Sequence, residues 1–181
     1  MTRRICITGP ESTGKSTLSE ALSHEFGSLW VPEFSRAYLE QLDRPYTESD
    51  LEEILFGQLS RENEAARQGG DLLICDTGPE VIWVWSYFKY GRVSPRIEKA
   101  TREHHYDLTL LLDTDLPWSP DPLRENPDDR DRQELFRLYE SLLNRLQRRT
   151  VIIRGSGSER ISCAIETLRH TANPDVQNVE V

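Results

Sequence analysis

The stretch Gly9-Pro10-Glu11-Ser12-Thr13-Gly14-Lys15-Ser16 constrains this chain more than any other. A short apolar run, Ile5-Cys6-Ile7-Thr8, leads into it, and Leu18, Ala21, Leu22 and Phe26 recur behind it at helical spacing. Strand, glycine turn and helix in that order let consecutive main-chain N–H groups converge on an anion at a helix N-terminus. The residue types match that use. Gly14 lets the backbone turn without a side chain intruding. Lys15 can reach the β and γ phosphates of a nucleotide as a point charge, and the Ser16 hydroxyl can ligate Mg²⁺. Thr13 and Thr17 add hydroxyls, Thr17 suited to the α phosphate. The spacing predicts a site for ATP and magnesium built on Gly9, Thr13, Gly14, Lys15, Ser16 and Thr17.

Strand-like and helix-like segments alternate along the rest of the chain. Strands are expected at 28–31, 71–76, 106–113 and 150–153. Helices are expected at 36–44, 48–68, 95–104 and 159–169. Thr47 can cap the second of these, with Glu48 and Asp50 favourable in its first turn. Residues 77–91 read as one aromatic-rich helix or a pair. Leu135, Leu138, Tyr139, Leu142, Leu143 and Leu146 mark a further helix. The order predicts an α/β fold of three layers, a P-loop NTPase or kinase architecture with a mostly parallel five-stranded sheet. One domain is expected over 1–172, with a loose tail at 173–181. Pro117, Pro120, Pro122 and Pro127 prevent regular structure over much of 114–132, which reads as a surface excursion suited to a lid.

Charge and cysteine content narrow the partners. Thirty-one acidic residues against 22 basic ones give a formal charge of -9, a poor match to a nucleic-acid backbone. A local phosphate site can still be basic inside an acidic protein. Cys6, Cys75 and Cys163 stand apart with no paired spacing, so free thiols and a reducing cytoplasm are expected. No apolar run approaches the roughly 20 residues of a membrane span. A small-molecule partner, and a possible homo-oligomer, follow as expectations.

In a parallel sheet every strand's carboxyl end points to one crevice. Asp76, at the end of the apolar run Leu72 to Cys75, is therefore expected to face Gly9. There it could hold Mg²⁺ through water or accept the proton of an acceptor hydroxyl. Asp113 ends the next strand in the same way and could equally be a plain cap. Glu33 and Arg36 follow the second strand toward the same edge. Arg124, Arg130 and Arg132 belong to the excursion, where a closing segment could bring a guanidinium onto a moving phosphoryl group. Trp83 and Trp85 cannot share a helix face, so one can line a pocket while the other packs. Gly155, after the fifth strand, could meet adenine through its backbone. The residues alone leave three readings open: a nucleoside kinase, a kinase for another small metabolite, or a nucleotide-dependent ATPase or switch that recognises a protein.

Several stretches together carry a more specific resemblance. Gly9 to Thr17, Val31-Pro32-Glu33-Phe34-Ser35-Arg36-Ala37-Tyr38-Leu39, Cys75-Asp76-Thr77, Asp115-Leu116-Pro117-Trp118 and Asp121-Pro122-Leu123-Arg124 resemble the nicotinamide riboside kinase domain of NadR-type proteins. The resemblance implies ATP-dependent phosphorylation of the riboside 5′-hydroxyl. It implies that Gly9, Gly14, Lys15, Ser16 and Thr17 bind ATP and magnesium, that Asp76 sits by the acceptor hydroxyl, and that Arg124 and Arg130 belong to a catalytic lid; Asp76 is expected at the metal, with Ser16, from its strand end. It also implies a nicotinamide ring held between aromatic side chains, with Trp83, Trp85 and Tyr87 as candidates; Glu33 and Arg36 are expected at the acceptor from their place after the second strand.

Overall fold

Alternation of side chains along the first strand sets the layers of the fold. In the computed structural model, which describes residues 2–172, β1 spans Arg3–Thr8. The expected tail at 173–181 lies outside the described residues. Ile5 and Ile7 point to one face, where they meet Leu18 and Leu22 of α1 (Lys15–Phe26) and Ala164 and Leu168 of α7 (Gly157–Ala172). Cys6 points to the other face. That side is covered by α3 (Glu48–Arg67), α4 (Pro79–Tyr90), α5 (Pro95–Glu103) and α6 (Asp129–Arg145).

The remaining strands are β2 (Leu29–Val31), β3 (Leu72–Asp76), β4 (Leu108–Leu112) and β5 (Thr150–Ile153). They pair in the order β2-β3-β1-β4-β5, and each pairing is parallel. The central strands are buried on both faces, which explains their continuous apolar runs. The chain turns to opposite sides of β1 to make β3 and β4. The loop after β1 therefore sits at a switch point, where an open α/β sheet leaves a crevice.

Helix boundaries follow local chemistry. A capping box between Thr47 and Asp50 starts α3. Gly78 and Pro79 start α4, which is a single helix. The Asp128 carboxylate accepts the Arg130 N–H at 2.7 Å and caps α6. The irregular excursion consequently ends before Asp129, not at 132. The short helix expected at 36–44 forms earlier, as α2 (Phe34–Glu40). No helix among the described residues is long and apolar enough to cross a membrane.

Candidate active site

Gly9 leaves β1 with φ 137°, and a Cβ there would stand 2.7 Å from the Leu112 carbonyl oxygen. Only glycine lets the chain pass the end of β4 this closely. Gly14, at φ 81°, opens α1 without a side-chain cap, leaving that helix end to an anion. Lys15 Nζ donates to the carbonyls of Gly9 and Pro10 at 3.0 and 2.9 Å, so the ammonium bridges its own loop. Thr13 is buried and donates to the Pro10 carbonyl at 2.8 Å. Its hydroxyl braces the loop, while Ser16 and Thr17 are exposed on the cleft. Arg160 of α7 supports the loop from behind, donating to the Thr13 and Gly155 carbonyls and to Asp115.

Asp76 lies in register with Ile7 at the end of β3. Thr77 then turns away with φ 73°, donating its N–H to the Ile7 carbonyl at 3.0 Å. Burial pushes the Asp76 carboxyl up to about 6, against opposing pulls from the Ser16 hydroxyl, Lys15 and Arg36. The nearby Glu33 charge adds to the rise. Asp76 Oδ1 is buried with no hydrogen-bond partner. An orphaned carboxylate oxygen beside an exposed hydroxyl is a hard-oxygen donor set, which suits magnesium. Glu33 accepts from the Ser35 hydroxyl at 2.7 Å, and Arg36 donates to Asp121 at 3.0 Å. Asp113 takes a different part, accepting from the Thr114 N–H and from Arg154 at 2.7 and 2.8 Å.

The excursion folds over the phosphate loop. Arg124 lines the cleft and donates to the Ser12 hydroxyl and the Ser119 carbonyl. Ser12 Oγ accepts the Ser119 N–H at 2.8 Å. The Glu11 carboxylate accepts the N–H groups of Glu125 and Asn126 and the Asn126 side-chain amide. Charge-assisted N–H bonds of this kind are each worth roughly 1.5–3 kcal/mol. Arg130 and Arg132 stand elsewhere, because both belong to the first turn of α6. Arg130 is exposed, and Arg132 is buried against the Leu116 carbonyl at 2.9 Å.

The aromatic residues divide between two faces of α4. Trp85 lines the cleft with Leu39 and Leu123 and stacks on Tyr46 at 5.9 Å between centroids. Trp83 turns toward α5 and α6, stacks on Tyr87 and donates to Glu98. Tyr87 is 45% exposed. Gly155 already donates its N–H to Asp115, at 2.7 Å, and accepts from Arg160. Glu11, Ser12, Tyr46 and Arg160 are the contributors that sequence reasoning missed. The first two occupy variable positions of the glycine pattern, and the others lie far from it in the chain.

The sequence profile of the AAA domain family matches residues 4–160. The chain is 28% identical over 147 residues to the trifunctional NAD biosynthesis/regulator protein NadR of Escherichia coli (strain K12). That alignment covers 78% of this chain and 35% of the relative, so the chain spans about a third of the curated protein it matches. A solved structure of NadR protein in complex with NR superposes with a TM-score of 0.78 at 19% identity. It covers 99% of this chain and 54% of that one. NadR protein in complex with NAD and AMP-PNP gives a TM-score of 0.76 at 18% identity, over 99% of this chain and 52% of that one.

Proposed function

Because the chain belongs to the AAA domain family and has the NadR-type P-loop fold, we propose that it phosphorylates the 5′-hydroxyl of nicotinamide riboside with ATP. The products are nicotinamide mononucleotide and ADP. One observation carries this reading. The loop residues Glu11 to Thr17, Arg124 and Trp85 line one crevice of the sheet, and the buried acid Asp76 lies beside its Ser16 and Lys15. The NadR structures solved with NR and with AMP-PNP, an analogue that stands in for ATP, support this choice of acceptor and donor.

The residues divide the work. Main-chain N–H groups of the loop and the α1 N-terminus bind the phosphates. Lys15 leaves the Gly9 and Pro10 carbonyls for the β and γ oxygens. Asp76 orients the acceptor hydroxyl and takes its proton as the new P–O bond forms and the bond to ADP breaks. Arg124 meets the charge on the equatorial oxygens. Ser16 and Asp76 would hold magnesium, directly or through water, which would supply positive charge to neutralise the phosphates. Trp85 offers a stacking surface to a cationic pyridinium ring. Glu33 and Arg36 line the acceptor side. Cys6 and Cys75 are free thiols and Cys163 is exposed and free, which suits a reducing cytoplasm.

The test is ATP consumption, with magnesium, against a panel of nucleosides, the product identified by mass. Phosphorylated nicotinamide riboside is the expected product. Turnover with a different nucleoside alone overturns the acceptor. Failure of calorimetry to detect any purine triphosphate binding overturns the reading as a whole.

A further inference from the structure

Glu11 is an anion placed in the middle of a loop built to receive anions. Its carboxylate faces the excursion and receives two consecutive main-chain N–H groups, from Glu125 at 3.0 Å and from Asn126 at 2.6 Å. The Asn126 side-chain amide adds a third donor, to the oxygen that the Asn126 N–H already meets. The residue immediately before these donors is Arg124, whose guanidinium lies against Ser12 and lines the cleft. The other side of the segment is also tied. Arg36 holds Asp121, while Tyr46 and Lys89 hold the Glu125 carboxylate at 2.8 and 3.0 Å. Those ties come from α2, α4 and the stretch before α3. Glu11 and Ser12 make theirs from the phosphate loop itself.

We infer that Glu11 is a positioning residue: its carboxylate clasps the backbone at 125–126 and thereby fixes Arg124 over the transferring phosphoryl group. The inference rests on the phosphotransfer reading above and adds to it a specific coupling. The loop that grips the nucleotide also sets the height of the arginine that meets it. An irregular, proline-rich segment has few backbone bonds of its own to define that height. A carboxylate accepting paired N–H groups supplies it without a regular element. Misplacement of a catalytic cation by about 1 Å is enough to lower turnover strongly, without weakening nucleotide binding.

Two variants and one cycle test this. Hydrogen exchange at the Glu125 and Asn126 amides, read on the full chain without acceptor, is expected to speed up about tenfold or more in Glu11→Ala. Exchange in β1 and β3 stays unchanged. In the same variant kcat for phosphoryl transfer falls roughly 10- to 100-fold, while KM for ATP does not rise. Glu11→Gln, which keeps a carbonyl acceptor, recovers most of the protection and the rate. Adding Glu11→Ala to Arg124→Ala costs no further turnover, because both act on one contact. Unchanged amide exchange in Glu11→Ala overturns the clasp. A full additional loss of turnover in the double variant overturns its action through Arg124. If the unmodified chain fails to phosphorylate nicotinamide riboside but Glu11→Ala frees the two amides, the acceptor assignment falls and the clasp stands.

Discussion

Lys15 shows how a motif residue can be read at once from sequence while its resting partners cannot. The glycine pattern announces an ammonium aimed at phosphates; nothing in it announces the bonds to Gly9 and Pro10 that hold the side chain in place. Lys15→Ala should lower transfer by at least about 100-fold, read as single-turnover product formation. Asp76 was legible from the acid that closes an apolar run. Its burial beside Glu33 was not, because it depends on how β2 and β3 pair. Asp76→Asn should lower kcat roughly 100-fold and leave ATP affinity within about threefold. The same variant has a stability signature. The folded carboxyl titrates at about 6 against an ordinary 3.8, so ionising it in place costs about 3 kcal/mol. Because the folded value is raised, wild-type stability falls as pH climbs from 4 through 6. Denaturant melts should therefore show Asp76→Asn gaining up to about 3 kcal/mol at pH 8 and nothing at pH 4. An equal gain at both values would separate the effect from ionisation.

The aromatic helix α4 teaches the corresponding lesson for elements. That residues 77–91 are helical was plain from their aromatic and apolar run, but that they form one helix, begun by Gly78 and Pro79, was not. Nor was its rotation, since a sequence fixes the spacing of two tryptophans without saying which face the sheet will cover. Packing decides it: Val81, Ile82 and Val84 are buried, which sends Trp85 to the cleft and Trp83 toward α5 and α6. Trp85→Ala should raise the acceptor KM roughly tenfold with little change in melting. Trp83→Ala should leave that KM near its normal value and cost about 2 kcal/mol or more of stability, from lost packing. Reversed outcomes would mean that the helix presents its faces the other way. The placement of Arg130 has the same origin. Prolines marked the irregular stretch, but the Asp128 cap begins α6 early and turns Arg130 into solvent.

Across the whole molecule, buried carboxyls shape the response to pH. Glu80 is fully buried, its two oxygens have no hydrogen-bond partner, and Arg148 approaches only to 3.9 Å. Burial pushes its carboxyl up to about 7. Asp50 behaves oppositely, since hydrogen bonding to Arg44 holds its carboxyl well below the usual range. Asp50 adds stability above its ordinary 3.8 and loses it as pH falls below that value. Asp76 and Glu80 subtract stability as pH rises from about 4 to their folded values of about 6 and about 7. Melting temperature should peak at about pH 4 and decline until about pH 7, and Glu80→Gln should flatten the later part of the decline. A flat profile in the unmodified chain would contradict both burials. The strut beneath the phosphate loop bears on how the chain is made. Thr13 hands its carbonyl to Arg160, which lies 147 positions later. During synthesis the sheet can assemble and α1 can dock while that carbonyl is still unsupported. A nascent chain can therefore complete the brace beneath its phosphate loop only after α7 has been made.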